Sequence, residues 1–318
     1  MSVVLRLPYK WRRPEGVSSG IPKLRVLHYK LDCLLENIFI RLARLPKSGI
    51  CNEQRQGETV TVSLTSFPAR IHKVYYAIKS LMLQTYQANR IVLWLAEDQF
   101  PDKKLPAQLQ KLTERGLEIA WCDNLYSHKK YHYALQQQKE NELVITYDDD
   151  LIYEADSIEK LITAHRKFPH CIVCNRAHYM PRNNAGQLLA YTQWRVHSPY
   201  GVQRPEMDLL PSTGNGCLYP YGCMPDVTFD WDIARQTALT ADDLWMRFCS
   251  ICANIPVVKT RQTIAILCNI WGSQKQPLTK TNDLGGENQR TIERICEQFP
   301  AAREFILGKH LLSDHSES

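Results

Sequence analysis

Short apolar runs alternate with amphipathic stretches between residues 59 and 153, and this alternation restricts the possible folds more than any other feature of the sequence. Helical patterns occur at 74–82, 105–115 and 131–138, the second stopped by Gly116. Four runs between these helices have the length and β-branched composition of buried strands: 59–65, 90–96, 117–122 and 143–147. Strands separated by helices form βαβ units, so we predict an α/β fold with a mostly parallel, Rossmann-like sheet flanked by helices.

Two loops of this pattern follow strands and carry polar residues. Ser66 to Arg70 follow the first strand, and three aspartates at 148–150 follow the fourth. In open parallel sheets, ligands bind beyond the carboxyl ends of the strands. We therefore expect the two loops to converge on one crevice.

The three aspartates have the composition of a metal site. Adjacent carboxylates repel one another and resist burial unless a cation offsets their charge, and Mg²⁺ or Mn²⁺ does so while also binding phosphate oxygens. Alternation along the strand would put Asp148 and Asp150 on one side and Asp149 on the other. A solvated acidic turn is the alternative, but the position after a buried strand favours a metal held by Asp148 and Asp150.

A second acidic pair, Asp242 and Asp243, follows Thr240 at the start of a predicted helix, 241–253. Acids in the first turn are stabilised by the helix dipole, with Thr240 as the cap. A carboxylate held rigidly at such a position is also suited to accept a proton from a substrate hydroxyl. The two interpretations are compatible.

Charge is concentrated at the amino-terminal end. The chain has a formal net charge of +6, and residues 1–48 contain ten Lys or Arg against three acids. Apolar residues at helical spacing from 23 to 45 predict an amphipathic helix, which either contacts a membrane surface or a partner, or packs on its own domain. Because the rest of the chain is nearly neutral, we do not expect nucleic acid as a partner.

Cysteines and hydropathy bear on the cellular compartment. The eleven cysteines are scattered, and the pairs Cys171/Cys174 and Cys249/Cys252 are interpreted as core residues rather than zinc ligands. No apolar signal region follows the start, and no apolar run reaches the roughly 18 residues of a membrane span. We expect a cytoplasmic protein, with peripheral contact at the inner membrane face as one interpretation of residues 1–48.

Six segments in this order resemble bacterial glycosyltransferases of the GT-A fold, in particular small enzymes that build capsule, O-antigen or lipopolysaccharide. The resemblance covers residues 59–295, and its first half is the more specific. The segments are TVSLTSFPARI (61–71), RIVLWLAED (90–98), SHKKYHYAL (127–135), ITYDDDLIY (145–153), GNGCLYP (214–220) and TADDLWM (240–246).

The resemblance implies roles for individual residues. The metal ligands would be Asp148 and Asp150, and the catalytic base Asp243 or Asp242. The acceptor side would include Gly214, Asn215, Gly216 and Trp245. The donor-binding residues would be Thr65, Ser66, Pro68, Arg70, Lys129, Lys130, Asp148 and Asp149. A solvated helix start is the alternative for the two lysines, and core packing is the alternative for Trp194, Trp231, Trp245 and Trp271.

The implied activity is metal-dependent transfer of a sugar from a nucleoside diphosphate, UDP first, to a hydroxyl of a glycan or lipid-linked acceptor. Inversion at the anomeric carbon is expected, and retention stays open. A nucleotidyltransferase and a non-catalytic sugar-nucleotide or glycan-binding module are the alternatives. One departure from the family pattern is the lack of a clear carboxy-terminal metal-binding histidine: His178 and His197 come too early, and Asn269, Trp271 and Lys280 are weak substitutes.

The predicted organisation has three parts. Residues 1–58 form a basic arm, an amphipathic helix and a linker, and residues 301–318 form a tail. Between them, 59–300 form the glycosyltransferase domain, with a nucleotide-binding half at 59–153 and an acceptor half at 154–300. We make no prediction of the oligomeric state.

Overall fold

Each apolar run predicted as a strand between residues 59 and 147 forms a strand in the computed structural model. The structure describes residues 23–195, 198–260, 268–273 and 286–309; for residues 23–29 it describes the backbone alone. The strands are β1 (Thr59–Thr65), β2 (Arg90–Ala96), β3 (Leu117–Cys122), β4 (Glu142–Tyr147), β5 (Leu151–Ile152), β6 (Ile172–Cys174), β7 (Ala177–Tyr179), β8 (Leu209–Pro211), β9 (Asn215–Tyr219), β10 (Val257–Lys259) and β11 (Cys268–Asn269). The helices are α1 (Lys23–Leu42), α2 (Val74–Met82), α3 (Ala107–Thr113), α4 (Lys129–Gln136), α5 (Ser157–His165), α6 (Trp231–Ala238), α7 (Asp242–Cys252), α8 (Glu287–Gln298) and α9 (Pro300–Ile306).

The central sheet has seven strands in the order β10-β6-β9-β4-β1-β2-β3. Every neighbouring pair is parallel except the two that involve β9, which runs antiparallel to both β4 and β6. The predicted α/β fold with a mostly parallel sheet flanked by helices is confirmed.

Alternation along the strands divides the core into two apolar layers. In β4, Ile145 and Tyr147 belong to the layer shared with α2, α3 and α5, whereas Val144 belongs to the layer shared with α4, α6 and α7. Both faces of the sheet are therefore covered by helices. This burial explains why β2 is almost continuously apolar, as is usual for parallel sheets.

Several boundaries differ from the sequence prediction. The helix predicted at 241–253 begins at Asp242, and Ala241 rather than Thr240 occupies its N-cap position. The tail predicted from 301 begins with most of α9, whose Phe305 is buried, because one side of this short helix is apolar. The segment predicted as a linker is fastened to the domain: the N–H of Cys51 donates to the carbonyl of Ala88 at 2.9 Å.

Some predicted features lie outside the described residues. They are the arm at 1–20, residues 261–267 of the strand predicted at 257–267, most of the polar loop predicted at 272–290, His197, Lys280, and the tail from 310 onward.

Of the four cysteines in the two pairs, Cys171, Cys174 and Cys249 are buried and Cys252 is exposed, so the expectation of core cysteines is wrong for Cys252. None of the helices in the described ranges combines the length and the apolar composition needed to cross a bilayer.

Candidate functional site

Strand β9 places a loop from the second half of the chain against the aspartates that follow β4. Because β9 is antiparallel to β4, its first residue, Asn215, pairs with the last residue of β4, Tyr147. The N–H of Asp148 donates to the carbonyl of Gly214 at 3.0 Å and to the hydroxyl of Tyr153 at 2.8 Å. The backbone at the start of the acidic segment is thereby fixed.

Gly214 is required by the side chain of Asp148. A Cβ atom added at position 214 would lie 1.8 Å from Oδ2 of Asp148, far inside van der Waals contact. The family resemblance placed this glycine on the acceptor side. In the structure the space beside it is occupied by the carboxylate itself.

Lys130 connects the two acidic elements. Its Nζ atom lies 2.8 Å from Oδ1 of Asp148 and 2.8 Å from Oδ2 of Asp242, and its side chain is 4% exposed. The hydroxyl of Ser63 in β1 donates to the carbonyl of Lys130, which anchors this turn of α4 against the sheet. Residues almost one hundred positions apart in the chain thus share one buried ammonium group.

Arg70 connects the loop after β1 with the other two aspartates. Its Nη1 atom lies 2.8 Å from Oδ1 of Asp149 and 3.0 Å from Oδ2 of Asp150. The hydroxyl of Ser66 donates to Oδ2 of Asp149 at 2.6 Å. The structure therefore brings the two polar loops together at the carboxyl edge of the sheet.

The three aspartates take ion-pair partners that the expected alternation did not specify. Asp149 and Asp150 share Arg70, whereas Asp148 turns to Lys130. β4 ends at Tyr147, so these three residues lie in the turn that follows the strand.

Thr213 organises the pair at the start of α7. Its N–H donates to Oδ1 of Asp243 at 3.0 Å, and its hydroxyl lies within hydrogen-bonding distance of both Asp243 and Asp242. Because the hydroxyl has a single hydrogen, it donates a hydrogen bond to only one of these carboxylates at a time. Sequence analysis did not select Thr213, although its position directly before Gly214 was a signal that it borders the same loop.

The pKa values of the two carboxylates of this pair are shifted in opposite directions. Burial, together with repulsion from Asp242, raises the pKa of Asp243 above that of an ordinary aspartate. The pKa of Asp242 is lowered: burial opposes its charge, but the positive charge of Lys130 outweighs that effect. Asp242 is therefore a stable anion paired with Lys130, and Asp243 is the better proton acceptor near neutral pH.

The two adjacent lysines have different environments. Burial disfavours the charge of Lys130, but Asp148 and Asp242 raise its pKa well above the ordinary value. Lys129 is also buried, its Nζ lies 3.3 Å from Oδ1 of Asn124, and burial lowers its pKa. Of the two, Lys130 is the one ion-paired within the acidic cluster.

Two of the residues expected on the acceptor side are packed inside the protein. Trp245 is fully buried, and its indole N–H donates to the carbonyl of Thr228 at 2.9 Å, so it is a core residue. Gly216 has φ +90°, and a Cβ there would lie 2.7 Å from Nδ2 of Asn175, so the glycine serves backbone shape and close packing. Among the other tryptophans considered, Trp194 is buried and Trp271 is 43% exposed.

The remaining predicted donor residues line the loop after β1. Thr65 is partly buried, and its hydroxyl donates to the carbonyl of Trp94 at 2.9 Å. Pro68 is exposed at the tip of the loop. Asn215, expected on the acceptor side, is partly buried at the start of β9 and pairs with Tyr147 of β4.

The acidic cluster suits a divalent cation of the kind that phosphate helps to hold. The side chains of Asp148 and Asp150 are 39% and 13% exposed, and both offer the hard oxygen ligands that Mg²⁺ and Mn²⁺ prefer. Within the described ranges, no group of three or more His, Cys, Asp or Glu side chains is arranged to hold a metal. Asp148 is paired with Lys130 and Asp150 with Arg70, so a bound ion would share these carboxylates with the two cations.

Comparisons with known proteins gave similarity of backbone alone. A scan of family models and a search of curated protein sequences each returned no match. Among solved structures, the mannosyltransferase PcManGT from Pyrobaculum calidifontis, in complex with GDP-Man and Mn²⁺, has 8% sequence identity and a TM-score of 0.49 over 89% of this chain and 78% of that one.

Two further structures match at lower scores. A 4-diphosphocytidyl-2C-methyl-D-erythritol synthase from Anaerococcus prevotii has 12% identity and a TM-score of 0.40, over 66% of this chain and 91% of that chain. S. aureus TarS 1–349 in complex with UDP has 16% identity and a TM-score of 0.42, and the match spans 66% of this chain and 59% of that fragment. Similarity at this level assigns no activity or ligand to the present chain.

Proposed function

We propose that this protein is a nucleotide-sugar-dependent glycosyltransferase. It would transfer a sugar from a nucleoside diphosphate, UDP being the first expectation, to a hydroxyl of a glycan or lipid-linked acceptor. The proposal extends to surface polysaccharide synthesis on the strength of the sequence resemblance alone. The observation that carries it is the meeting of Asp148 and Asp242 at Lys130, which puts the acidic end of β4 and the start of α7 in one site.

Asp243 is the base in this proposal. Its raised pKa suits proton uptake near neutral pH, and Thr213 fixes one of its oxygens. The acceptor oxygen would attack the anomeric carbon as its proton passes to Asp243, and the bond from that carbon to the diphosphate oxygen would break. Attack opposite the leaving group gives inversion.

Arg70 is proposed to bind the diphosphate. It lies at the same sheet edge as Asp148 and is partly exposed, with its guanidinium held by Asp149 and Asp150. A guanidinium presents several donors that match phosphate oxygens, and its charge stabilises the negative charge that develops on a leaving nucleoside diphosphate.

Asp148 and Asp150 are the residues proposed to hold Mn²⁺ or Mg²⁺. When bound, such an ion supplies Lewis-acid stabilisation of the departing diphosphate. Lys130 would then keep Asp148 oriented from the protein side, since it contacts the Oδ1 atom of that residue.

A nucleotidyltransferase would use a similar acidic edge and remains the second candidate. Such enzymes usually have a glycine-rich basic loop after the first strand, whereas this chain has Ser66, Phe67 and Pro68 there. The two candidates differ in substrates: a glycosyltransferase consumes a nucleoside diphosphate sugar, and a nucleotidyltransferase consumes a nucleoside triphosphate.

The test is a thermal-shift screen of nucleoside diphosphates, nucleotide sugars and nucleoside triphosphates, each with and without Mn²⁺. A true ligand at a hundredfold excess over its Kd stabilises the protein by about 2.7 kcal/mol. We expect stabilisation by one nucleoside diphosphate family, dependent on Mn²⁺ and lost in Asp150→Asn. NMR of the product then gives the stereochemistry.

Two outcomes would contradict the proposal. Stabilisation by nucleoside triphosphates together with pyrophosphate release would assign a nucleotidyltransferase. Stabilisation by a nucleotide sugar with no turnover against any glycan or lipid-linked acceptor would assign a binding module.

A further inference from the structure

The outward surface of α1 is apolar. Its exposed large side chains recur every three or four residues, a spacing that puts them on one face of a helix. They are Leu31 (49% exposed), Leu34 (41%), Leu35 (41%), Ile38 (40%), Phe39 (46%) and Leu42 (76%). We call this set the α1 stripe.

The opposite face of α1 is fixed to the domain. Asn37 is fully buried; its Nδ2 donates to the carbonyl of Asn269 at 3.0 Å, and its Oδ1 accepts from the N–H of Trp271 at 3.0 Å. Ile40, one turn on, is also buried in the core. From residue 31 to residue 42, the apolar side chains of the stripe are therefore turned outward, away from the domain on which α1 packs.

A contiguous apolar surface of this kind marks an interaction site on a protein of ordinary composition. Its surroundings indicate the partner. Lys30, Arg44 and Lys47 are exposed at and just beyond the helix, which also carries the exposed Asp32 and the partly buried Glu36; residues 1–48 together contain ten basic residues against three acids. Apolar side chains among basic residues complement an anionic lipid surface, where the former enter the acyl boundary and the latter meet headgroups.

Trp271 extends this surface. It is 43% exposed, and the guanidinium of Arg41 lies 4.6 Å from the centroid of its ring. Tryptophan is enriched at membrane interfaces because its ring is apolar while its N–H is polar. A second copy of this chain is a poorer partner, since self-association would bring two basic ends of the same sign together.

We propose that the α1 stripe, with Trp271 at its edge, docks on an anionic lipid membrane. The docking surface is close to the acidic site: Asn37 holds the segment from 269 to 271, and the N–H of Ile270 in that segment donates to the carbonyl of Asp150 at 2.8 Å. If the proposed transferase function holds, this arrangement brings the site to acceptors carried by lipid. The docking itself does not depend on that function.

The test is co-sedimentation of the full-length protein with vesicles. One set contains phosphatidylcholine alone, and the other contains phosphatidylcholine with phosphatidylglycerol. We expect binding to be at least about tenfold tighter to the anionic vesicles and to weaken with salt. The double variant Leu35→Gln, Ile38→Gln should bind at least about tenfold more weakly, because two inserted side chains are lost.

The matched control is Leu239→Gln, which changes a leucine that is 37% exposed outside α1 and should leave vesicle binding unchanged. Circular dichroism and thermal melting would establish that both variants are folded. Equal vesicle binding by the wild type and the double variant would overturn the proposal. So would a dimer, seen by light scattering, that the double variant abolishes, because the stripe would then belong to a second copy.

Vesicle binding needs no turnover, and the nucleotide thermal-shift screen needs no lipid. Failure of one proposal can therefore be told from failure of the other.

Discussion

The backbone N–H of Thr213 donates to Oδ1 of Asp243 at 3.0 Å, and this contact fastens the first turn of α7 to the segment that enters β9. The next residue, Gly214, accepts a hydrogen bond from the N–H of Asp148. Two consecutive residues thus set the distance between the carboxylate proposed as base and the carboxylate proposed for the metal. Geometry of this kind is what preorganised sites require.

Asp243→Asn tests the base. The amide keeps the size of the side chain and an oxygen that can accept from Thr213, but it does not take up a proton. We expect kcat to fall about 10²- to 10⁴-fold with little change in KM. The rate of nucleoside diphosphate release measures this, and Asp232→Asn, on a side chain that is 76% exposed, is the control. Unchanged turnover would remove Asp243 from the role.

The pH dependence of kcat/KM tests the same carboxylate. Burial and repulsion from Asp242 raise the pKa of Asp243 to about 6. A base acts when ionised, so kcat/KM should rise with pH through that value and then level off. In Asp242→Asn the repulsion is gone and the rising limb should move to lower pH. If the rising limb of the kcat/KM profile stays at the same pH in this variant, a group other than Asp243 controls that limb.

The raised pKa also has a consequence for stability. The pKa of Asp243 in the folded protein, about 6, exceeds the ordinary value of about 3.9, so the folded state binds the proton more tightly than the unfolded state. This group therefore opposes folding increasingly as pH rises between these two values. Asp243→Asn should raise Tm at pH 8 and raise it less at pH 4. Calorimetry at the two pH values measures the difference, and a Tm gain that is equal at both would contradict the assignment.

Lys130→Met should be strongly destabilising. It removes the ammonium group from between Asp148 and Asp242 and leaves the second of these, with a side chain 11% exposed, buried without its main cationic partner. Loss of one member of a buried ion pair costs about 3 kcal/mol or more of stability. Asp148 is 39% exposed, so water reduces the part of this cost that comes from Asp148. Urea unfolding measures the loss. Lys130→Arg keeps the charge and should recover part of the stability; equal stability of all three proteins would mean that the pair contributes nothing.

Gly214→Ala should act through Asp148. The new Cβ would lie 1.8 Å from Oδ2 of Asp148 and would displace that carboxylate. We expect turnover to fall at least about tenfold, as is common when a group at a site is misplaced by about 1 Å. In an Asp148→Ala background the same change should add almost nothing, because no carboxylate remains to be displaced. Additive losses in this double-mutant cycle would place the effect of Gly214 elsewhere.

The parallel part of the sheet could be predicted from sequence because short, mostly buried β-branched and apolar runs alternate with helical patterns. The convergence of Ser66 and Arg70 with Asp149 followed from strand direction alone. What could not be predicted was which partner each aspartate takes. That depends on where β4 ends and on long side chains, Arg70 and Lys130, that reach across between elements.

Trp245 and Gly216, both in the second half of the chain, have packing roles that the sequence does not reveal. Trp245 and Gly216 were assigned to a ligand by resemblance, yet both are held by tertiary packing. The sequence around them carries no periodicity that separates a buried tryptophan from an exposed one. The outward direction of the α1 stripe was likewise undetermined, because an amphipathic pattern is the same whichever way the helix turns.

The position of β9 has a consequence for how the polypeptide can be divided. This strand comes from residues 215–219 but lies between β4 and β6, in the interior of the sheet rather than at its rim. A fragment that stops after residue 153 would expose the hydrogen-bonding edge of β4 and lose Thr213 and Gly214 as well. Splitting the gene at that point should yield two insoluble pieces, so complementation or permutation designs would do better to open the chain at a surface turn such as 220–223.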